Sequence, residues 1–260
     1  LDGSNDAFVK ISGTDITLVS DKAAIGSAAD ELEIDTQGTG RLTASAFTDA
    51  YITEKIGALK VTSVGAGANL RLSVAESSGQ GDDIILDSGS TVSGGKDVSL
   101  LAGDNITVTA GAAVTAGTVL NLTGDKPSLD PEGSIITIAG DLNASTVSIT
   151  AAAGQGAKLV SSIDGNQELS NSQLKRTPAS STTVQTIAII GFTQASLAGG
   201  ASDNTMSIGG WTGSVTVDGG SGYDTITVTT DTDFNIADGL IKRVGTGDAT
   251  IIGIENGVFR

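Results

Sequence analysis

The chain of 260 residues carries 36 glycines, 3 prolines, no cysteine and no histidine, and 38% of it is hydrophobic although only 3% is aromatic. Its 14 basic against 30 acidic residues give a formal net charge of −16, a surface that repels nucleic acid and anionic lipid. A disulfide framework is excluded, the commonest general base and transition-metal ligand is missing, and no apolar run approaches the roughly 18 residues of a membrane helix.

The opening Leu1-Asp2-Gly3, with neither a start methionine nor a basic leader, reads as the edge of a piece of a longer polypeptide, any signal or anchor lying outside it. Short strands follow at Ala7–Ile11, Ile16–Val19 and Glu31–Ile34, each bounded by Gly, Asp or Ser. Residues 43–59 fit two patterns. An amphipathic helix would place Thr48 or Asp49 as cap and Ile52, Ile56 and Leu59 on one face. A strand at Tyr51–Glu54 is favoured, because further alternating segments, KVTSV and NLRLSV, come directly after it.

Residues 69–160 are the most regular. Strands are expected at Asn69–Val74, Asp83–Leu86, Val98–Leu100, Ile106–Thr109, Val119–Leu122, Ile135–Ile138 and Val147–Thr150, with glycine corners such as Ala102-Gly103-Asp104-Asn105 between them. Apolar and small polar residues alternate with period 2, so one side of each strand is buried. VSLLAGD at Val98 returns as VLNLTGD at Val119, 21 residues on. A unit of about 20 to 30 residues that returns to its own start marks a solenoid, and stacked copies bury the face that one unit cannot.

A polar excursion at 126–132 lengthens one corner. The stretch 161–183, which holds Lys175-Arg176 and a proline, breaks the rhythm and reads as a polar loop or boundary between repeats at 1–160 and further repeats at 184–260. Beyond it strand Thr186–Ile190 resumes the pattern, and IIGF at Ile189 recurs as IIGI at Ile251, 62 residues later, as if another large unit began there.

Gly219–Thr227, GGSGYDTIT, matches G-G-x-G-x-D-x-U-x at every position. In calcium-binding β-rolls such a turn presents backbone carbonyls, its Asp supplies a carboxylate, and the apolar residue plugs the core. Gly220, Gly222 and Asp224 are therefore the candidate calcium ligands, with a plain tight turn as the other reading. Ser78–Leu86 and Gly199–Ser207 are weaker echoes, and the three copies are not tandem. Thr107/Thr109, Thr225/Thr227 and Thr227/Thr229 project hydroxyl pairs that suit an ice-binding lattice only if they recur in every coil; otherwise Thr is a good strand former. The pairs Asp82/Asp83 and Asp231/Asp233 have the chemistry of a glycosidase, but no Asp, Arg, Lys and aromatic cluster accompanies them. Trp211, in GGWTG, suits sugar stacking less well than packing over a glycine corner.

AYITEKIGALKVTSV, NLRLSV and LLAGDNITVTAGAAVTAG, with IGGWTGSVTVDGGSGYDTITV and DFNIADGLIKRVGTGDATIIGIENG toward the end, resemble giant repetitive bacterial surface and secreted proteins. The likeness is to the adhesin and filamentous-haemagglutinin kind, whose ends carry haemolysin-type calcium repeats. It implies an all-β, right-handed parallel β-helix in an extracellular or cell-surface fibrous protein, with calcium as the cofactor to look for. The expectation is a β-solenoid of about 10 rungs spaced roughly 4.8 Å apart. It would act as a non-enzymatic stalk or spacer in adhesion, with surface glycans or other cell-surface components as partners and self-association through open solenoid ends. A carbohydrate-active β-helix enzyme, a polysaccharide lyase or glycoside hydrolase, is the alternative.

Overall fold

The computed structural model describes residues 9–126, 133–152, 156–229, 233–237 and 239–260. The expected strand Ala7–Ile11 is described only from Val9, and the excursion 126–132 only at Lys126. The chain divides into two units, Leu1–Gln155 and Gly156–Arg260.

In the first unit one sheet stacks β1 (Ile11–Ser12), β3 (Leu32–Asp35), β5 (Ala50–Glu54), β7 (Leu70–Val74), β9 (Val98–Leu101), β12 (Val119–Gly124) and β15 (Thr146–Ala151) in that order. The other stacks β2 (Asp15–Ser20), β4 (Arg41–Ala46), β6 (Leu59–Ala66), β8 (Ile84–Gly94), β10 (Ile106–Val108) and β13 (Ile135–Ile138). Every described pair in both sheets is parallel. The chain therefore alternates between sheets and advances one strand per visit, the winding of a parallel β-helix, right-handed as parallel crossovers are. β6 and β8 bend part-way, their register jumping from Val61 opposite Leu86 to Ser63 opposite Thr91. That second limb continues through β11 (Ala113–Ala116) and β14 (Asp141–Asn143) as a third face.

Period-2 alternation makes the core. Along the first sheet Ala50, Leu70, Val98, Leu120 and Val147 lie in one inward ladder, and Ile52, Leu72, Leu100, Leu122 and Ile149 in the next. On the second, Leu42, Val61, Leu86, Val108 and Ile138 line up in the same way. All fifteen are buried. Each fully buried Leu, Ile or Val contributes about 1.5–3 kcal/mol, and small aliphatic side chains stacked in register fill the interior without aromatic bulk. The span 43–59 contains no helix; it holds the end of β4, all of β5 and the first residue of β6, and Ala50, Ile52 and Glu54 alternate inward, which helical spacing would scatter.

The 21-residue repeat is not the coil length at this point. Val98 pairs with Leu120 and Leu100 with Leu122, an offset of 22. A slip of one residue would turn the polar set inward, so burial overrides the likeness of VSLLAGD to VLNLTGD. At another corner Gly67, Gly95 and Gly117 follow one another. A Cβ on each would lie 2.1–2.2 Å from the carbonyl oxygen of Phe47, Gly67 and Gly95 respectively, so the turns stack closely only because no side chain is there.

In the second unit one sheet runs β19 (Gln185–Ile190), β18 (Gln173–Pro178), β17 (Gly165–Leu169), β21 (Thr205–Ser207), β23 (Thr225–Val228), β27 (Asn256–Phe259). The other runs β16 (Lys158–Ser162), β20 (Gln194–Ala198), β22 (Ser214–Asp218), β26 (Ala249–Ile252), β25 (Leu240–Arg243), β24 (Phe234–Ala237). The polar stretch 161–183 is not a bare loop: β17 and β18 form an antiparallel hairpin within it, and β18 is antiparallel to β19 as well. Its inward positions include Gly165, Gln167 and Arg176 beside Leu169 and Leu174, so the alternation is concealed by polar residues. Ser161 Oγ donates to Gln167 Oε1 at 2.6 Å and Gln167 Nε2 to the Ala198 carbonyl at 2.8 Å, which satisfies the buried amide. The IIGF and IIGI copies are not equivalent, since β19 and β26 belong to different sheets of this unit.

Trp211 is 3% exposed, donates Nε1–H to the Ser214 carbonyl at 3.3 Å, and lies so close to Gly213 that a Cβ there would meet its ring at 2.8 Å. It packs on a glycine corner and is closed to a sugar. The Arg243 guanidinium, 5% exposed, donates to the carbonyls of Trp211, Gly213 and Gly247 at 2.6–2.8 Å; burial pulls its pKa below the usual arginine value, against the pull of Asp248.

Candidate functional site

The turn from Gly219 to Asp224 links β22 to β23, and Gly199 to Asn204 links β20 to β21. Ala198 pairs with Asp218 and Thr205 with Thr225, so the full nonapeptide and its echo occupy the same corner of consecutive coils. The copies are tandem in space at these two turns, although a 20-residue separation conceals it in a chain of uneven coils. Gly220 and Gly222 have φ of +93° and +121°, and a Cβ on either would reach within 2.3–2.7 Å of the carbonyls of Gly200 and Ser202. Only glycine suits both positions.

Asp224 is fully buried. Its Oδ1 accepts the Asn204 backbone N–H at 2.7 Å, and its own N–H donates to Glu255 Oε2 at 2.7 Å. Asn204 Oδ1 accepts Gly200 N–H at 2.8 Å. Asp203 Oδ1 accepts Tyr223 N–H, Asp218 Oδ1 accepts Gly220 N–H, and Asp164 accepts Ser202 through both its N–H and its hydroxyl. Those bonds from Ser202, with help from Asn204, hold the Asp164 carboxyl below the ordinary aspartate pKa. Asp164, Asp203, Asp224 and Glu255 thus fasten one coil's backbone to another, while Asp218 closes its own turn. For a cation the turn has one buried donor without a hydrogen-bond partner, Asp224 Oδ2, and an amide, Asn204, where a second carboxylate would strengthen a shared site. Calcium takes six to eight oxygens; beyond Asp224 Oδ2, the others would have to come from backbone carbonyls of the stacked turns, such as those of Gly200 and Ser202, and from water.

A corner of the first unit gathers further buried acids. Glu54, fully buried, accepts Thr36 N–H at 3.1 Å and the Thr36 hydroxyl at 2.9 Å; desolvation outweighs these bonds and raises its pKa to about 7. Asp83 Oδ1 accepts both the N–H and the side-chain amide of Asn105. Burial raises its pKa, with Asp104 and Asp82 adding to the shift. Asp82 is itself buried and accepts Ser77 N–H at 2.7 Å. Asp82 and Asp83 are therefore committed to the corner and present no open cleft, and Asp231 lies outside the described residues.

Of the threonine pairs, Thr109 turns its hydroxyl to the Leu86 carbonyl at 2.8 Å. A hydroxyl column lies elsewhere, on the third face, where Thr17, Thr43, Ser63 and Thr91 pair in succession and Ser63 meets Thr91 at 2.9 Å. The column continues as Ala113 and Asp141, so it is not a regular threonine lattice. Sequence reasoning missed Asn204, Glu255 and Asp104. The signal for the first was the 20-residue step from Asn204 to Asp224; the inserted β24–β25 hairpin hides the step to Glu255.

Among the described residues no group of three or more His, Cys, Asp and Glu side chains is placed to hold a metal ion, and no helix is long and apolar enough to cross a membrane. In comparisons with known proteins, no family model, no curated protein and no solved structure matches the chain.

Proposed function

We propose that the chain is a non-enzymatic structural segment of a large extracellular or cell-surface repeat protein, a stalk or spacer that takes part in adhesion to surface glycans or other cell-surface components. The observation that carries this reading is the unbroken in-register pairing of the first unit, strand on strand from β3 to β15. Load along such a stack is shared by many parallel backbone hydrogen bonds and by apolar ladders that continue through every coil. The resemblance to adhesin-type repeat proteins, the acidic surface and the glycine corners support the same reading. It needs no metal: at the Gly220–Asp224 turn the acid fastens coils by accepting backbone N–H groups.

Adhesion and polysaccharide cleavage are separated by one pair of assays. The purified chain is applied to a glycan array and incubated with a panel of uronate-containing and neutral polysaccharides. Glycan retention without new reducing ends or unsaturated products is expected; release of either product would overturn the non-enzymatic reading.

A further inference from the structure

We infer that the second unit binds a linear, carboxylate-bearing polysaccharide in a trough across the outer face of its β16–β20–β22–β26–β25 sheet. The trough is open and measures about 290 Å³. It crosses the strands along the stack, so a ligand lying in it meets one coil after another. The pairing of Lys158 with Gln194 and of Gln194 with Ser214 starts one wall. Val215 and Ile241 both pair with Ala249, which carries that row on past Asp248 to Lys242. Thr216, Thr250 and Leu240 form the wall opposite, with the buried Ala195 and Val215 beneath.

Charge selects the ligand. The chain as a whole is acidic, but the excess lies in the first unit, with eight basic against twenty acidic residues; the second has six against ten. Lys158 is half-buried and Lys242 exposed, and among the described residues neither ammonium has an ion pair or a hydrogen-bond partner. They stand four strands apart in the sheet, about 19 Å at a spacing of about 4.8 Å. One extended polymer reaches both, and a small anion does not. Asp248 is the acid among the described lining residues, and its charge is drawn to the buried Arg243 guanidinium.

Between the lysines the walls offer an amide at Gln194 and hydroxyls at Ser214, Thr216 and Thr250, none of them bonded to another described side chain. Groups that both donate and accept match the hydroxyls of a sugar, and Leu240 supplies an apolar surface for its C–H face. A peptide strand finds no backbone edge to extend, since β20, β22 and β26 are paired on both sides. A nucleic acid would lack a platform for its bases, because no aromatic side chain is among the described lining residues. The uronate carboxylates of a polysaccharide meet the lysines, and its hydroxyls meet the row between them. This deepens the glycan-adhesion reading and rests on it.

The test is calorimetric titration of a β-linked mannuronate hexamer into the full chain. Mannohexaose of the same linkage, with a hydroxymethyl in place of each carboxylate, and a thymidine hexanucleotide are titrated in parallel. Binding of the mannuronate hexamer alone is expected, and it should weaken as salt is raised. K158A/K242A should weaken it about tenfold or more, and D248N should tighten it about twofold. K175A, which removes a lysine from the β17–β18 hairpin of the other sheet, should leave it unchanged. Circular dichroism checks that each variant is folded; K158Q/K242Q, which keeps the side-chain stems, replaces the alanine pair if that pair does not fold. The inference is overturned if the unaltered chain does not bind the mannuronate hexamer, or if mannohexaose or the hexanucleotide binds as tightly. It is equally overturned if loss of both lysines leaves affinity undiminished, if D248N weakens binding, or if K175A weakens it as much as K158A/K242A does. Retention on other glycans of an array without mannuronate binding would overturn this site and leave the adhesion reading standing.

Discussion

Asn204 and Asp224 hold equivalent positions in consecutive coils, and the chemistry of that corner is a chain of side-chain acceptors for backbone N–H groups. Asp224→Ala would leave the Asn204 N–H without its acceptor in a buried place. It should destabilise the fold by about 1–3 kcal/mol, by the same amount with calcium and with EDTA, as read from urea unfolding. A loss that appears only with calcium would make Asp224 a metal ligand. Glu54 gives a pH dependence. Its pKa is raised from an ordinary glutamate value to about 7, so between about pH 4.5 and 7 the folded chain holds a proton that the unfolded chain releases. Its contribution is therefore fully present below pH 4.5 and lost as pH rises through 7. Glu54→Gln should remove that slope, so that the stability difference between variant and unaltered chain grows in favour of the variant from pH 4.5 to 7.5; parallel curves would contradict it. The match at Gly219–Thr227 was legible because glycine and aspartate there are dictated by backbone approach. Its role was not legible, because the partner groups arrive from turns 20 and 31 residues away.

The strands themselves were largely legible where inward positions are apolar, as in Leu70-Arg71-Leu72 of β7 or Leu120-Asn121-Leu122 of β12. Register was not. Choosing 22 over 21 residues between β9 and β12 depends on which residues stack across coils, and repeated letters do not encode it. The β17–β18 hairpin was hidden for the opposite reason: Gln167 and Arg176 occupy inward positions. Leu100 lies between Leu72 and Leu122 in a closed ladder. Leu100→Ala should cost about 2–5 kcal/mol without changing the circular dichroism of the folded state. Gly95→Ala places a methyl 2.2 Å from the Gly67 carbonyl oxygen, so the two coils must separate there. Hydrogen exchange should show faster opening of β7 and β9 than in the unaltered chain, and unchanged protection would contradict the close-stacking account.

Across the whole molecule, composition had already indicated a stack: much glycine, little aromatic bulk and abundant Val, Ile, Leu and Ala. What composition could not convey is how differently the units are built. Described pairs are all parallel through the sheets of the first, whereas the second contains reversed strands at β18 and at the β24–β25 hairpin. Parallel coils come undone from an end one at a time, because each contacts only its neighbours. The measurement that tests the mechanical reading most directly is single-molecule extension of the full chain between folded handles. Release in steps of one coil, about 65–100 Å of contour for coils of 20 to 28 residues, is predicted, at forces above those that open a helical reference domain of similar size. Extension in one step at or below the reference force would contradict a load-bearing solenoid.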